Sequence, residues 1–426
     1  MKAPDARCRA FVADVVAASL VTGRGPGEVI ADLPGLRGAA STVRADVASW
    51  SLRVLGARLR LERALGRALS DDLQERARAL VAAAFVEAGV DVDTGGDEPL
   101  TLEQLRDRID AIQDPLERLG VRAAAPTWLA AKFADAYGDD ASAVLSALGE
   151  PPPRTVRCNL LRGSRDELQR ALRTEGVESC SAKFAGTALH CLGTTDLFAT
   201  RAFREGRFEQ QDEASQLAIR AVAPPPRGRV LDVCAGSGGK TLGLAAALGN
   251  RGVVMATDVH AGRLRELRRR LGRAGADNVQ VRHLDGDGGA VEAFAERCDR
   301  VFVDAPCSGT GSWRRRPQAR TSVTASDLSS LVSTQRSLLA RAARWLRPGA
   351  RLVYATCSLL PEENGEQVRW LSERHPELEL VRLAEILGAA AASPISDATG
   401  TFLQVRPDVH GCDGFFLAVL RRRRGA

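Results

Sequence analysis

Hydrophobic residues in the first 90 positions recur at intervals of three and four, the spacing that gathers them on one face of an α-helix. Two examples of this spacing are Phe11, Val12, Val15, Val16 and Leu52, Leu55, Leu59, Leu61, Leu65. Proline is rare in this part, and Gly-Pro-Gly at 25–27 marks a turn. The pattern predicts an all-helical domain at 1–95, with a polar linker at Asp91–Pro99, and a helical linker region at 96–145.

Mixed elements follow this helical part of the chain. The helical pattern ends at Pro151-Pro152-Pro153, because proline removes a backbone donor and cannot continue a helix. A strand is then predicted at Thr155–Leu160 and a helix at Ser164–Glu175. We therefore expect a small α+β unit at 146–220.

From Arg229 onward, short apolar runs alternate with amphipathic stretches, as strands alternate with helices in an α/β domain. The apolar runs that we predict as strands are Val230–Val233, Val253–Thr257, Val279–Arg282, Val301–Asp304, Leu352–Thr356 and Gly414–Leu420. This alternation predicts a Rossmann-like fold over 221–426, with a mostly parallel, doubly wound sheet covered on both faces. Such sheets bind ligands at the carboxyl ends of their strands, so the loops there are the first candidates for chemistry.

The composition is that of a soluble globular protein with an excess of arginine. Of the 426 residues, 45% are hydrophobic and 26% are charged. Only four of the 59 basic residues are lysine, and the net charge is +6. Arginine suits bidentate contacts with phosphates, but GC-rich codon usage produces the same excess, so both explanations stay open.

The nine cysteines include no Cys-x-x-Cys pair, so they predict neither a zinc site nor a redox motif. No run of 18 uncharged apolar residues occurs, and Asp5 and Asp14 lie near the start, which argues against a membrane span and a signal peptide. We therefore expect a cytoplasmic protein with reduced thiols, no metal and no membrane partner.

A glycine-rich loop follows the first strand of the α/β domain, at Cys234-Ala235-Gly236-Ser237-Gly238-Gly239-Lys240. Glycine allows the backbone to approach a ligand closely, and the helix that follows directs its N-terminus at that ligand. A phosphate-binding P-loop needs glycine where Cys234 stands, and the dinucleotide-binding pattern needs glycine where Thr241 stands. The loop therefore matches neither of these two motifs.

Acidic residues at the ends of the next two strands suit an adenosyl cofactor. Asp258 closes the second strand, where a carboxylate accepts hydrogen bonds from ribose hydroxyls. Asp285 follows the third strand and is a candidate acceptor for the adenine amino group, with Asp287 as its competitor. Together with the glycine-rich loop, these residues predict a site for an adenosyl cofactor.

Two cysteines lie at the ends of two later strands, in Asp304-Ala305-Pro306-Cys307 and Thr356-Cys357-Ser358. If the two strands are neighbours, both thiols face one pocket. A thiolate that adds to carbon 6 of cytosine makes carbon 5 nucleophilic toward a sulfonium methyl group. A second group must then help to remove the proton from carbon 5. Asp304 is a candidate to hydrogen-bond the ring and to support the addition.

These motifs resemble those of the RNA 5-methylcytosine methyltransferases, a family that includes the bacterial Sun or RsmB protein and the eukaryotic Nop2/NSUN proteins. The resemblance covers about 126–420. It is strongest at Cys234–Thr241, Asp304–Gly311 and Tyr354–Asn364. It implies that Cys357 is the nucleophile and that Cys307 assists release of the methylated base.

The resemblance also implies that S-adenosylmethionine is the cofactor. Residues 234–240 would contact it, together with Asp258, Asp285 and Asp304. The family loop is often Ala-Ala-Pro-Gly-Gly-Lys, whereas Gly236 and Ser237 replace its second alanine and its proline in this chain. By position and helicity, 1–95 would correspond to the NusB-like RNA-binding domain of the RsmB branch.

A basic segment just after the Cys307 loop is a candidate RNA contact. It consists of Trp313 and the three arginines Arg314, Arg315 and Arg316. Arginine binds phosphates and tryptophan stacks on an unpaired base, so we expect these residues to hold the target nucleotide.

We therefore predict an RNA (cytosine-5-)-methyltransferase that acts as a monomer, on 16S ribosomal RNA by analogy with the RsmB branch. Two alternatives stay open: transfer RNA as the substrate, and a non-catalytic RNA-binding factor of ribosome assembly. An amino-methyltransferase typically carries an Asn- or Asp-Pro-Pro-Tyr motif where this chain has Asp304-Ala305-Pro306-Cys307.

Overall fold

The computed structural model of the chain describes residues 5–65, 70–90, 101–284, 289–317 and 319–424. They form two units. The helical unit comprises Met1–Pro151 and Ser312–Ala325, and the sheet unit comprises Pro152–Gly311 and Ser326–Ala426. The predicted boundary at 145/146 lies near the division after Pro151, whereas the boundary predicted at 220/221 falls inside the sheet unit. The predicted linker at Asp91–Pro99 lies entirely outside the described residues.

The helical unit confirms the helical pattern of the first part of the chain. Its helices before residue 151 are α1 (Ala6–Thr22), α2 (Pro26–Asp32), α3 (Pro34–Arg37), α4 (Ser41–Leu65), α5 (Leu73–Glu87), α6 (Leu102–Asp110), α7 (Pro115–Arg122), α8 (Thr127–Tyr137) and α9 (Ala141–Ala147). Val12, Val15 and Val16 of α1 are fully buried, as their spacing predicts. Trp50 of α4 packs on Phe85 of α5, with 4.2 Å between the ring centroids.

The segment Ser312–Ala325 belongs to the helical unit although it is distant in sequence. The Trp313 ring packs on Phe133 of α8 at 6.0 Å, and the Arg320 guanidinium lies over the Trp313 ring at 5.6 Å. Arg320 donates to the carbonyls of Ala123 and Leu148, at 2.5 and 2.6 Å. These carbonyls end α7 and α9, where helix geometry leaves acceptors without an intrahelical donor.

The sheet unit begins with a small antiparallel sheet of order β2-β3-β1-β4. Its elements are β1 (Thr155–Cys158), α10 (Arg165–Thr174), β2 (Ser179–Ser181), β3 (Ala188–Cys191), α11 (Arg201–Arg204) and β4 (Phe208–Gln210). Val156, Leu189 and Phe208 face the buried side, where α10 covers them. The α+β character expected for this part of the chain is thus observed.

The large sheet has eight strands in the order β10-β12-β9-β8-β5-β6-β7, with β11 paired to β12. The remaining elements of the chain are α12 (Glu213–Val222), β5 (Arg229–Asp232), α13 (Gly239–Ala247), β6 (Val253–Asp258), α14 (Ala261–Ala274), β7 (Val279–His283), α15 (Gly289–Ala295), β8 (Arg300–Asp304), α16 (Ala319–Ser322, in the helical unit), α17 (Ala325–Trp345), β9 (Arg351–Thr356), α18 (Gly365–Arg374), β10 (Leu378–Leu380), α19 (Leu383–Leu387), α20 (Ala389–Ala392), β11 (Phe402–Val405), α21 (Pro407–His410) and β12 (Phe415–Arg422).

Strands β5 to β9 are parallel, and β10, β11 and β12 form an antiparallel edge. Alternate residues of β8 face opposite sides of the sheet, so Phe302 packs into one buried cluster and Val301 and Val303 into the other. The prediction of a mostly parallel, doubly wound sheet covered on both faces is confirmed. Among the helices that the structure describes, none is both long enough and apolar enough to cross a membrane.

Candidate active site

The predicted catalytic residues meet at the carboxyl ends of three neighbouring strands. β8 lies between β5 and β9, so β8 and β9, the strands that precede Cys307 and Cys357, are neighbours. The glycine-rich loop follows β5, Asp304 ends β8, and Cys357 follows β9. Because parallel strands place their carboxyl ends at one edge of the sheet, residues 50 to 123 positions apart in the chain share one site.

The two cysteines are in direct contact. The Cys307 and Cys357 sulfur atoms are 3.4 Å apart, and both side chains are partly buried. The hydrogen bond with Cys357 and burial raise the pKa of the Cys307 thiol well above its ordinary value. The protonated form of Cys307 is therefore favoured next to the second sulfur.

A partly buried ion pair lies beside the thiols. Lys240 Nζ donates to Asp304 Oδ2 at 2.6 Å and lies 5.2 Å from the centre of the Phe415 ring. Burial acts to lower the pKa of Lys240, but the charge and hydrogen bond of Asp304, together with the charge of Cys357, outweigh it and raise that pKa. A permanent cation therefore acts on Cys357, and a nearby cation favours the thiolate form of a cysteine.

The glycine-rich loop is held in a conformation that needs two of its glycines. Gly236 and Gly238 have φ values of +54° and +84°, in the left-handed region. A Cβ atom at Gly238 would lie 2.1 Å from Leu267 Cδ1, so a larger residue would also clash there. Asp258 accepts from the Gly236 N–H at 2.8 Å and from the His260 N–H at 2.8 Å. Its carboxylate thus connects the loop to the end of β6.

Asp232 is a site residue that the sequence did not single out. It ends β5 and is almost fully buried, with Oδ2 accepting from Thr241 Oγ1 at 2.7 Å. Its Oδ1 has no hydrogen-bond partner among the described residues. Burial raises the pKa of Asp232 to about 7, against the hydrogen bond from Thr241, which lowers it. Burial likewise raises the pKa of the Cys234 thiol, which keeps that residue neutral.

The loop that carries Cys307 is fixed by Glu363, which sequence reasoning also missed. The Glu363 carboxylate accepts from the Ser308 N–H at 2.8 Å and from Ser308 Oγ at 2.5 Å. Gln335 of α17 donates to Glu363 at 3.0 Å and to the carbonyl of Pro306 at 3.0 Å. Glu363 lies within the segment Tyr354–Asn364, so its place in this motif could have identified it. A glutamate by itself does not indicate such a role.

Hydroxyl groups connect the two cysteine loops. Thr310 Oγ1 lies 3.1 Å from Ser358 Oγ and accepts from the Leu359 N–H at 2.8 Å. The Gly311 N–H donates to the Cys357 carbonyl at 2.9 Å. Since these bonds join the residues that follow Cys307 to Cys357 and its next two residues, they resist separation of the two sulfur atoms.

The structure corrects the prediction that Trp313 stacks on a base. Its side chain is only 1% exposed, because its ring packs on Phe133 and under Arg320. Arg314 is 8% exposed, so it is also a poor candidate for a surface phosphate contact. Arg316 is exposed and Arg315 is partly exposed, and their contact with RNA stays a prediction. Asp285 and its competitor Asp287 lie outside the described residues.

Family models and a related protein of known sequence both match this chain, and both indicate the same group of methyltransferases. Residues 219–421 match the family described as 16S rRNA methyltransferase RsmB/F, and residues 125–197 match the RsmF/B-like ferredoxin-like domain. The chain is 33% identical over 316 residues to the probable ribosomal RNA small subunit methyltransferase B of Bacillus subtilis. That match covers 74% of this chain and 70% of the Bacillus protein.

Two crystal structures share the fold. PH0851 superposes with a TM-score of 0.81 at 24% identity, over 99% of this chain and 100% of that one. A methyltransferase homologue from Pyrococcus horikoshii superposes with a TM-score of 0.63 at 29% identity, over 73% of this chain and 100% of that one. The first of these matches extends the similarity of fold over nearly the whole chain.

Proposed function

This chain belongs to the RsmB/F methyltransferase family, and from that membership we propose that it methylates carbon 5 of a cytidine in RNA, with S-adenosylmethionine as the methyl donor. The observation that carries the proposal is the contact of Cys307 and Cys357 at 3.4 Å, beside the Lys240–Asp304 ion pair. Transfer to carbon 5 requires a covalent nucleophile and a second proton-handling group, whereas transfer to an amine requires neither thiol.

The residues after β5 fit the cofactor. Asp232 offers a buried carboxyl oxygen without a partner among the described residues, and a Cβ atom added to Gly236 would meet nothing within 4 Å. S-adenosylmethionine supplies an electrophilic methyl group on a sulfonium. Cys234 to Lys240, Asp258 and Asp304 would hold it, with the N-terminus of α13 directed at its polar groups. Asp285 is proposed for the adenine.

Cys357 acts first in the proposed mechanism. Its thiolate, favoured by the charge of Lys240, forms a bond to carbon 6 of the cytosine. The electron pair of the 5,6 double bond then becomes available at carbon 5. The methyl group of S-adenosylmethionine would be transferred there as its bond to the sulfonium sulfur breaks, and S-adenosylhomocysteine would leave. Asp304 accepts a hydrogen bond from the exocyclic amine or the protonated ring nitrogen, and so stabilises the adduct.

Cys307 acts in the second half of the proposed mechanism. Cys307 first loses its proton to solvent, and its thiolate then takes the proton from carbon 5. The electron pair of that C–H bond re-forms the 5,6 double bond, and the bond between carbon 6 and Cys357 breaks with its electron pair returning to the Cys357 sulfur. A raised pKa keeps Cys307 protonated while Cys357 attacks, and makes the Cys307 thiolate a strong proton acceptor. We propose ribosomal RNA as the substrate, supported by the activity named for the Bacillus relative.

Trapping the covalent intermediate tests this proposal. The Cys307→Ala variant, expressed in cells and run on a denaturing gel, should show a slower band that ribonuclease removes. The double variant Cys307→Ala/Cys357→Ala should not show it. Cys180→Ala, which changes an exposed cysteine outside the site, is the control and should show no band.

The outcomes separate the alternatives. A band in Cys357→Ala instead of Cys307→Ala would exchange the roles of the two thiols. Sequencing of the trapped RNA distinguishes ribosomal from transfer RNA. Absence of a band from a folded Cys307→Ala protein that binds both RNA and cofactor would favour the non-catalytic RNA-binding factor.

A further inference from the structure

Two oppositely charged residues face each other across the small antiparallel sheet. Arg157 of β1 and Glu209 of β4 are register partners, and each residue is 5% exposed. Burial of a guanidinium and a carboxylate is costly unless both are bonded. The hydrogen bonds of Arg157 and Glu209 therefore indicate which neighbouring segments these two side chains hold in place.

Arg157 reaches the start of the helix that follows the glycine-rich loop. Its Nη1 donates to the Gly239 carbonyl at 2.6 Å and to the side chain of Gln211. Burial lowers the pKa of Arg157 to about 10, while Glu209 acts to raise it, so the guanidinium stays charged at neutral pH. A Cβ atom at Gly243 would lie 3.0 Å from Arg157 Nη1, so glycine at this position gives the guanidinium room.

Glu209 binds two arginines of α14, and they differ in their second contact. Arg270 donates to Glu209 at 2.8 Å and Arg273 donates to it at 2.5 Å. Arg270 also donates to the Ser237 carbonyl in the glycine-rich loop, at 2.7 Å. Arg273 instead donates to the Phe203 carbonyl at 3.1 Å and lies over the Phe203 ring. Of these two arginines, it is Arg270 that connects Glu209 to the loop.

Two carbonyls of the loop are therefore held by guanidinium groups, those of Ser237 and Gly239. In a planar trans peptide, the C=O and the next N–H point in opposite directions, so fixing one fixes the other. The Lys240 N–H follows the Gly239 carbonyl and lies in the first turn of α13, where amides lack intrahelical acceptors. The same contact thus orients a free helical amide and the backbone that carries Lys240.

We propose that Arg157 and the Glu209–Arg270 pair are positioning residues, which hold the glycine-rich loop in the conformation that binds S-adenosylmethionine. The proposal rests on the function proposed above, since it assumes that cofactor. The competing explanation is that the network only joins the small sheet to the large one. Arg273 separates the two explanations, because it shares Glu209 and the same 17% side-chain exposure, while among the described residues its hydrogen bonds go to Glu209 and Phe203 and none to the loop.

The test compares matched variants of the full chain. Calorimetric titration with S-adenosylmethionine, without RNA, should give a dissociation constant raised about tenfold in Arg270→Met, as expected for loss of one charge-assisted hydrogen bond that organises the site. Arg273→Met should change the constant less than about twofold, at a similar change in melting temperature. At saturating cofactor, the kcat of Arg270→Met should remain close to that of the unchanged protein.

Arg270→Lys covers the case in which the methionine variant does not fold. Its single ammonium keeps the charge facing Glu209 but does not reproduce the fork that also reaches Ser237, so cofactor binding should again be weakened. Equal weakening in the Arg270 and Arg273 variants, or unchanged binding in folded Arg270 variants, would overturn the positioning role. Failure of the unchanged protein to bind S-adenosylmethionine would instead overturn the proposed function itself.

Discussion

The Asp232 carboxyl illustrates how burial alone changes the chemistry of a single residue. It ends β5 with one oxygen bonded to Thr241, and burial raises its pKa to about 7. The folded chain therefore binds this proton more tightly than the unfolded chain, in which the pKa is near its ordinary value of 3.8. Because the folded chain holds this proton over a wider pH range, the contribution of Asp232 to the free energy of unfolding falls as pH rises from about 4 to about 7.

Replacement of Asp232 by asparagine should remove this penalty. We expect the stability of Asp232→Asn relative to the unchanged protein to increase between pH 4 and 7 and to level off above that. The total change is on the order of 4 kcal/mol at most, because each pKa unit corresponds to about 1.4 kcal/mol. Unfolding in urea at four pH values measures it.

The control for this measurement is Asp166→Asn, whose side chain is 75% exposed. A stability difference between Asp232→Asn and the unchanged protein that stays constant with pH would contradict the prediction. In that case the Asp232 carboxyl would have similar proton affinities in the folded and unfolded chains.

At the scale of elements, the Cys307 loop depends on groups from two other elements. Glu363, in the turn after β9, accepts from both the N–H and the hydroxyl of Ser308, and Gln335 of α17 donates to Glu363. Both oxygens of the Glu363 carboxylate therefore act as hydrogen-bond acceptors. The position of Cys307 relative to Cys357 follows from this arrangement, since Ser308 is the next residue in the chain.

A glutamine at position 363 should disturb the loop without removing either thiol. Glu363→Gln replaces one acceptor oxygen by an NH₂ group, which leaves a buried donor facing another donor. If the whole expected cost of about 1–3 kcal/mol is lost from stabilisation of the transition state, kcat falls by about 5- to 150-fold. Because the proposed mechanism assigns release to Cys307, the covalent RNA adduct should accumulate, as measured on a denaturing gel.

Glu366→Gln is the control for this variant, since Glu366 is exposed in the first turn of α18. It should leave both kcat and adduct unchanged. Normal turnover in Glu363→Gln would show that the Cys307 loop does not need this carboxylate.

The sequence predicted the elements that have strong internal patterns and missed those that depend on neighbours. The helix predicted at Ser164–Glu175 differs from α10 by one residue at each end, and the six strands predicted from Val230 onward differ from the observed ones by at most two residues at an end. The edge strands β10 and β11 have only three and four residues, too few for a pattern. Trp313 was misassigned because an aromatic residue beside arginines has the same local signal whether it is exposed or buried.

For the site, strand ends were sufficient to locate Cys307, Cys357, Asp304 and Lys240, because fold topology brings strand ends together. They were not sufficient for Asp232 and Glu363. The burial of those two carboxyls results from tertiary packing, which no local pattern records.

At the scale of the whole molecule, the helical unit is discontinuous in the chain. Its second segment, Ser312–Ala325, follows Gly311 directly and has its packing partners in the first segment. Trp313 needs Phe133, and Arg320 needs the carbonyls of Ala123 and Leu148. Removal of 1–151 therefore leaves the second segment without a core.

A fragment of residues 152–426 should show this defect in solution. We expect red-shifted tryptophan fluorescence from an exposed Trp313, and rapid protease cleavage within 312–325. The same fragment with Trp313→Phe identifies the tryptophan responsible, since Trp345 and Trp370 remain. A blue emission maximum and protease resistance equal to those of the full chain would contradict the expectation.

This discontinuity limits how the protein can be recombined with its relatives. An exchange of the first 151 residues alone would transfer an incomplete module, and the new helices would meet a foreign Trp313 and Arg320. A viable chimera needs additional junctions, near Gly311 and Ala325, so that both segments come from one parent. The two segments should therefore be inherited together, although about 160 residues of another unit separate them in the gene.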